Sequence, residues 1–341
     1  MKYSAKFRYL LFWVWIGILL SHPLYGALPD SSDVMTALAP KTSVAGGPAQ
    51  STIELEELYE PSLDDGTIWR KSDRLKAGRL AVFFVGFAIG DAIGFKKISE
   101  LQYTTETSSF HFHEWSRDIR EYKQMDKIGH VVESYYMSHL ASKLFRWSGF
   151  SAKKSIWYGS LTGMIWMLQI EITDGFFKAW GFSYIDLAAN IIGSGYSALQ
   201  QLYPNQLKGI RFKFSFWPSD AYKKGLYSTV SKSILDDYEG FTWWLAFNIY
   251  DVIPKTWKRR YPGWLSPFGV AVGQSIQNLG VEGVFGGQRQ VYIGLDFDIT
   301  KIPTGDSKLL KFIKDELNFV RLPLPAVRLT PGGSVWYGIY F

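Results

Sequence analysis

The spacing of apolar residues changes near Pro204, and this change constrains the fold more than any other feature of the sequence. Before Pro204 the apolar runs are long and cover residues 80–90, 131–145, 155–170 and 184–202. Runs of that length and spacing predict helices rather than strands. After Pro204 the segment 211–216 alternates strictly between polar and apolar residues, which predicts a strand. The chain is therefore predicted to be α+β, an apolar helical bundle followed by an antiparallel β-sheet or an incomplete β-barrel.

A second alternating segment, 290–300, places five apolar side chains on one face, and these are Val291, Ile293, Leu295, Phe297 and Ile299. Weaker strand patterns cover 243–251, 268–276 and 334–341, and an amphipathic helix is predicted near 306–319. The last segment ends on an aromatic residue and resembles the terminal strand of an outer-membrane β-barrel. Five or six strands are expected, however, which is fewer than the roughly eight that a small membrane barrel needs.

The N-terminus has the layout of a secretory signal peptide. Three basic residues precede the uncharged run 10–20, and small residues follow at Gly26 and Ala27. A run of this length is short against the roughly 20 residues that span a bilayer, which favours cleavage over a retained anchor. We therefore predict a signal peptide over 1–26 and, because Pro, Ser, Thr, Ala and Asp dominate the next segment, a flexible lead over 27–73. We further predict a helical domain over 74–203 and a β-rich, outer-membrane-like tail over 204–341.

Composition limits the classes of partner. The net charge of +6 is spread along the chain without a dense basic stripe, so nucleic acid is not an expected partner. Aromatic residues make up 17% of the chain, a content that favours interfaces, and membrane lipid and envelope proteins are the expected partners. The chain has no cysteine, which excludes disulfides, thiolate metal sites and a lipid-modified N-terminal cysteine.

Ionisable residues interrupt or bound every long apolar run, so each run is predicted to be a poor independent membrane span. Asp126 and His130 stand four residues apart just before the second run. On a helix that spacing puts both side chains on one face, where Asp126 would fix the tautomer of His130 and raise its basicity, as a general base requires.

Two more polar pairs occur, one directly after the third apolar run and one within the fourth apolar run. Glu171 and Asp174 end a charge-free run, and Asp186 and Asn190 stand four residues apart. If the three helices pack together, one polar cluster forms inside an apolar bundle. Its members would be Lys127, His130, Glu171, Asp174, Asp186 and Asn190.

This cluster has two interpretations. In the first it is a structural ion-pair and hydrogen-bond network, with Lys127, Asp186 and Asn190 as central members. In the second it is an active or metal site. The catalytic candidates are then His130, Asp126, Glu171 and Asp174, and the candidate ligands of a divalent metal are His130, Glu171, Asp174 and Asp186. The structural interpretation is favoured, because no Ser, Cys or Thr nucleophile stands in a recognisable activating motif.

The corresponding functions differ in class. The favoured one is a cell-envelope protein associated with the outer membrane. The first alternative is a metal- or histidine-dependent enzyme that acts on lipid or cell-wall material, and the second is an inner-membrane transport accessory. A further pair, His111 and His113, shares one face of an extended segment, where solvent exposure is the commoner arrangement and a two-histidine metal arm is the rarer one.

The ordered polar motifs resemble those of a known family. The resemblance is carried by Asp126-Lys-Ile-Gly-His130, by Glu171 and Asp174, and by the later segment that runs from Trp180 through Asp186 and Asn190 to Gly193. Through these motifs the chain resembles the YfiM-like family of predicted periplasmic lipoproteins, a domain of unknown function. The resemblance covers about residues 75 to 200, and a looser similarity extends to VanZ-like membrane proteins.

The signal peptide and the outer-membrane-like tail predict export to the outer membrane or its periplasmic face, and the family resemblance supplies no reaction. The chain departs from the lipoprotein pattern because it has no cysteine to carry a lipid. Membrane attachment is therefore expected to come from the apolar helices or the tail.

Overall fold

The computed structural model describes residues 75–101, 103, 106–224, 237–279, 285–305, 307–330 and 333–341. The chain divides into the units Met1–Glu60 and Pro61–Phe341, and all the described residues belong to the second unit. The predicted signal peptide, 1–26, and the predicted lead, 27–73, lie outside the described residues. Their boundaries stay predictions.

Long helices occupy the first half of the described chain, as predicted. They are α1 (Ala77–Leu101), α2 (Met125–Trp147), α3 (Ala152–Asp174) and α4 (Tyr184–Leu202), and α5 (Lys308–Leu317) lies near the C-terminus. Short helical turns cover Trp115–Asp118, Glu121–Gln124, Pro204–Leu207, Asp220–Lys223, Ile249–Val252, Lys255–Lys258, Gly263–Leu265 and Ile299–Lys301. Serine residues cap α3 and α4, because the hydroxyls of Ser151 and Ser183 accept backbone N–H groups of the first turns.

Helices α2, α3 and α4 pack closely through small residues. A Cβ added at Gly163 of α3 would overlap Ser138 of α2, and one added at Gly193 of α4 would overlap Ser134 and the backbone of Val131. Only glycine permits these approaches, so the helices meet backbone to backbone near their middles.

Helix α1 contacts the bundle along a narrow side. The Phe83 ring lies 5.0 Å from that of Phe145, and Phe87 lies 4.5 Å from Trp166. Most of its other apolar side chains are exposed. Among the described residues, the segment Ala77–Glu100 is the one helix long and apolar enough, by length and composition, to cross a membrane. By length and composition alone this segment departs from the prediction that every apolar run is a poor span, because the helix extends beyond residues 80–90 at both ends.

Six antiparallel strands follow the bundle in sequential order, which confirms the α+β prediction. They are β1 (Ile210–Phe216), β2 (Phe241–Asn248), β3 (Phe268–Gln277), β4 (Gln288–Phe297), β5 (Leu324–Thr330) and β6 (Gly333–Tyr340). Strand β5 was not located from sequence, because Pro325 interrupts its pattern.

The sheet is strongly curled, so that its two edges approach each other. The ring of Trp217, after β1, stacks on that of Phe341 at 4.6 Å. Backbone of the segment 319–321 lies along the β1 edge, where the Phe214 N–H donates to the Phe319 carbonyl at 2.9 Å. The open edge of β1 is thereby paired at this point.

The concave side of the curled sheet is rich in polar groups. Lys213 donates to Asp296 at 2.9 Å and to Asn318 at 3.1 Å, and the Arg321 guanidinium lies 4.1 Å from the ring centroid of Trp244. The convex side of β1 to β3 packs on α2, where a core forms from Tyr122, Met125, Val132, Trp243, Ile276 and Leu279. This junction of bundle and sheet positions the polar cluster.

Candidate functional site

Lys127, in the first turn of α2, is the centre of the polar cluster. Its ammonium donates to Asp186 at 2.6 Å and to Asp126 at 3.1 Å, and it also contacts the buried carboxylate of Asp118. The carboxylates come from the Trp115–Asp118 turn, from α2 itself and from α4. One cation therefore connects three separate elements.

An unusual backbone leads into this site. Tyr122, Lys123 and Gln124 have φ values of 48°, 50° and 65°, a left-handed conformation that residues other than glycine seldom adopt. Tyr122 is buried and stacks on Tyr238 with ring centroids 4.4 Å apart. The turn aims the start of α2, with Asp126 and Lys127, into the junction of bundle and sheet.

His130 lies one turn after Asp126, on the same face of α2, as the spacing predicts. Its Nε2 is 3.7 Å from an Asp126 oxygen, and its Nδ1 is 3.1 Å from the Asn190 side-chain oxygen and 3.6 Å from a Glu171 oxygen. The Tyr238 hydroxyl donates to Asp126 at 3.1 Å. Groups from α2, α3, α4 and the turn that precedes β2 thus surround the imidazole.

The protonation state of His130 follows from these neighbours. Burial lowers the pKa of His130, but the carboxylates of Asp186, Glu171 and Asp126 outweigh it and raise the pKa to about 10. At neutral pH the ring is then an imidazolium with two N–H donors. In that state it cannot act as a general base or as a metal ligand, because both ring nitrogens carry protons.

The acids of the cluster hold more negative charge than Lys127 and His130 neutralise. Burial raises the pKa of Asp174 to about 7, although a 2.6 Å hydrogen bond from the Tyr103 hydroxyl lowers it. Burial also raises the pKa of Glu171 well above its usual range, and one oxygen of Glu171 accepts the backbone N–H of Ser183 at 3.2 Å. Near neutral pH Asp174 is therefore partly protonated, and the pKa of Glu171 is raised although the charge of His130 opposes that shift.

A cavity of about 180 Å³ lies beside the cluster. Polar groups of the cluster form one side of it, and these are Asp126, Lys127, His130, Asp174 and Asp186. Aromatic side chains form another side, and these include Tyr122, Trp180, Tyr238 and Trp243. The volume is enough for several water molecules or a small polar group.

The structure brings some of the predicted metal ligands together. Ligand atoms of Asp126, His130 and Asp186 lie within 4.8 Å of one another. Asp126 was predicted as catalytic rather than as a ligand, and the predicted ligands Glu171 and Asp174 do not belong to this group. The Lys127 ammonium already lies between Asp126 and Asp186 at hydrogen-bond distance, which is where a cation would be bound.

Sequence reasoning missed two acids of the site, Asp118 and Glu121. Asp118 is buried and accepts the Ser183 hydroxyl at 2.7 Å, and Glu121 pairs with His113 at 3.2 Å. His113 is almost fully buried and does not share a site with His111, so the expectation that this pair faces solvent fails for His113. The missed acids lie in a charged stretch, where composition alone predicts exposure.

The comparison with known protein families identifies this same region. Residues 114–202 match the model of a family described as "Predicted periplasmic lipoprotein (DUF2279)". The match contains every residue of the predicted cluster. It covers about a quarter of the chain, and no curated protein or solved structure matches.

The family description supports the predicted export to the periplasm and gives no activity. The finer predictions, of the outer membrane and of a YfiM-like or VanZ-like relationship, stay predictions.

Proposed function

We propose that this chain is a membrane-bound protein of the cell envelope, located at the outer membrane or its periplasmic face, whose polar cluster is a structural charge network. The observation that carries the proposal is the set of ion pairs around Lys127. Its partners Asp118, Asp126 and Asp186 come from three elements, and they determine how the N-terminal turns of α2 and α4 meet.

The energetics support a structural role. A buried charge that loses its partner costs several kcal/mol, so the helices can move apart only if they break the network. His130 adds a second connection, because it lies between Glu171 of α3 and Asn190 of α4. The network therefore selects one register for three apolar helices, which apolar packing alone specifies weakly.

Helix α1 is the element that would attach the chain to the membrane. Val82, Val85, Ile89 and Ile93 are each more than half exposed, which is unfavourable in water and favourable in lipid. The absence of cysteine leaves the apolar elements of the chain to supply attachment.

The test of the network compares folding with envelope function. Asp126→Asn and His130→Gln are expressed in the native host, and the melting temperature and envelope integrity are measured. A structural network predicts that melting temperature and function fall together. A variant that melts like the wild type but loses lipid-processing or barrier function contradicts the proposal.

An enzyme that acts on lipid or cell-wall material is the second candidate, and the cavity beside His130 favours it. His130 would have to transfer its proton to a neighbouring carboxylate before it could act as a base. Calorimetric titration with divalent metals, together with turnover assays on envelope lipids, tests this candidate. Cell fractionation tests the inner-membrane transport alternative, because that alternative requires the chain in the inner membrane.

A further inference from the structure

The convex side of the sheet carries continuous apolar rows. The strand register aligns one such row across all six strands, and it consists of Phe212, Leu245, Val272, Ile293, Val327 and Trp336. A second row joins Phe247, Val270 and Leu295 on the neighbouring pairs. We call the part of these rows on β3 to β6 the apolar face.

Helix α2 covers only one end of these rows. Phe212 packs on Tyr135 of α2, with ring centroids 5.4 Å apart. Farther along, Val272 is 47% exposed, Ile293 is 48% exposed and Trp336 is 67% exposed. The opposite, concave side is buried and holds polar groups beside an aromatic core that includes Trp244 and Tyr292. The exposed side of β3 to β6 is therefore apolar, where a sheet with one face in water would present polar residues.

Helix α5 has the same inverted polarity. Its charged residues bind the protein, since Lys143 of α2 pairs with both Asp315 and Glu316. Its apolar side chains Leu309, Leu310, Ile313 and Leu317 are exposed. Lys314 donates to the carbonyl of Ile302, in the segment that follows β4, so α5 lies beside the end of the apolar face.

Basic and aromatic residues lie at this same end of the sheet. The β2–β3 connection carries Lys258, Arg259 and Arg260, and its Trp257 and Trp264 are 68% and 73% exposed. Lys301, which follows β4, pairs with Asp251 of this connection at 2.7 Å. Exposed tryptophan with lysine and arginine is the composition that binds the headgroup region of anionic membranes.

We propose that the apolar face and the exposed side of α5 are buried in one leaflet of a lipid bilayer, with the β2–β3 connection at the headgroups. The inference deepens the proposed membrane attachment and depends on it. From Val291 to Phe297 the face is about 20 Å long at ~3.3 Å per residue. The hydrocarbon core of a bilayer is about 30 Å thick, so the face enters one leaflet and does not cross both.

Lipid fits this face better than a second copy of the chain. A copy packed in the same orientation would bring its own Lys258, Arg259 and Arg260 against the same basic residues, and like charges repel. A copy packed in the opposite orientation would leave these basic residues without counter-charges. Anionic lipid headgroups would neutralise them instead. The curled sheet also suits lipid, because the β1 edge pairs its backbone with the segment 319–321.

The chain has no cysteine, so single-cysteine labelling tests the inference directly. Full-length Ile293→Cys and Gln288→Cys carry an environment-sensitive fluorophore and are reconstituted in vesicles of phosphatidylethanolamine and phosphatidylglycerol. Both positions are exposed on β4, but Gln288 begins the strand and lies on its opposite side, away from the apolar face. The Ile293 label is expected to shift to the blue and to be quenched by nitroxide lipids, whereas the Gln288 label is quenched by aqueous iodide.

The other outcomes each overturn a defined claim. If the protein floats with vesicles but iodide quenches both labels equally, the apolar face is in water and the inference is wrong, while attachment through α1 stands. If neither quencher reaches the Ile293 label, a second copy covers the face. A protein that does not float with vesicles overturns the inference and the proposed membrane attachment together.

Discussion

The Lys127 ammonium donates to the Asp186 carboxylate at 2.6 Å, although 59 positions separate the two residues in the chain. The pair joins the first turn of α2 to the first turn of α4. Asp186 is placed for this contact by the cap of α4, where its backbone N–H donates to the Ser183 hydroxyl at 2.9 Å. A local cap thus determines a long-range ion pair.

Replacement of the cation is expected to destabilise the fold strongly. Lys127→Met leaves the carboxylates of Asp118, Asp126 and Asp186 without their shared cation, at a cost of about 3–5 kcal/mol in the free energy of unfolding. Urea denaturation followed by circular dichroism measures this. The control is Lys178→Met, because Lys178 pairs with Glu106 on the surface and should contribute about 1 kcal/mol or less. Equal losses in the two variants would contradict the network.

Two glycines on one helix provide a matched test of helix packing. A Cβ at Gly193 would overlap Ser134 and the Val131 carbonyl of α2, whereas a Cβ at Gly195 meets nothing within 4 Å. Gly193→Ala is therefore expected to cost about 1–3 kcal/mol through overpacking, and Gly195→Ala to be neutral or to stabilise the helix by up to about 1 kcal/mol. Thermal denaturation of both variants measures the difference. A Gly193→Ala variant as stable as the wild type would show that α2 and α4 are farther apart in solution than in this structure.

Alkaline pH is expected to weaken the fold through His130. Its pKa rises from 6.5 to about 10 on folding, so its stabilising contribution is complete below pH 6.5 and is lost as pH rises to about 10. The free energy of unfolding, measured by urea titration across this range, should fall more steeply in the wild type than in His130→Gln. If the free energy of unfolding falls equally with pH in both proteins, His130 is neutral in the folded protein.

Acidic pH is expected to weaken the fold through a different histidine, His139. Burial and the nearby Lys143 and Arg211 lower the pKa of His139 to about 3, so the folded state keeps this ring neutral. Because the unfolded chain binds this proton near pH 6.5, stability is lost as pH falls from 6.5 towards 3. His139→Gln should reduce that loss, which the melting temperature at pH 7 and pH 4 would reveal. An unchanged acid sensitivity would assign the effect to other groups.

Much of the secondary structure was predictable because it depends on short-range periodicity. The apolar runs 131–145, 155–170 and 184–202 lie within α2, α3 and α4, and the alternating segment 211–216 lies within β1. The shared helix face of Asp126 and His130 has the same local origin. Strand β5 was not located, since Pro325 removes a backbone donor and disturbs the pattern on which a strand prediction depends.

The site was predictable only in part because charge does not reveal burial. Asp118 and Glu121 belong to a charged stretch that resembles an exposed surface, yet both are buried by contacts with Ser183 and His113. Ser183 stands 65 positions from Asp118, and His113 stands eight positions from Glu121. No periodicity in the local sequence marks them.

The sequence by itself determined which side chains share a face, and the tertiary structure decided where each face points. Alternation places Val291, Ile293 and Leu295 together but is the same whether that face is inside or outside. Packing of the bundle on β1 to β3 and the curl of the sheet left Ile293 and Leu295 exposed and buried Lys213 and Asp296. The physical reason is that backbone geometry orients a side chain only relative to its own element, whereas burial depends on contacts between distant elements.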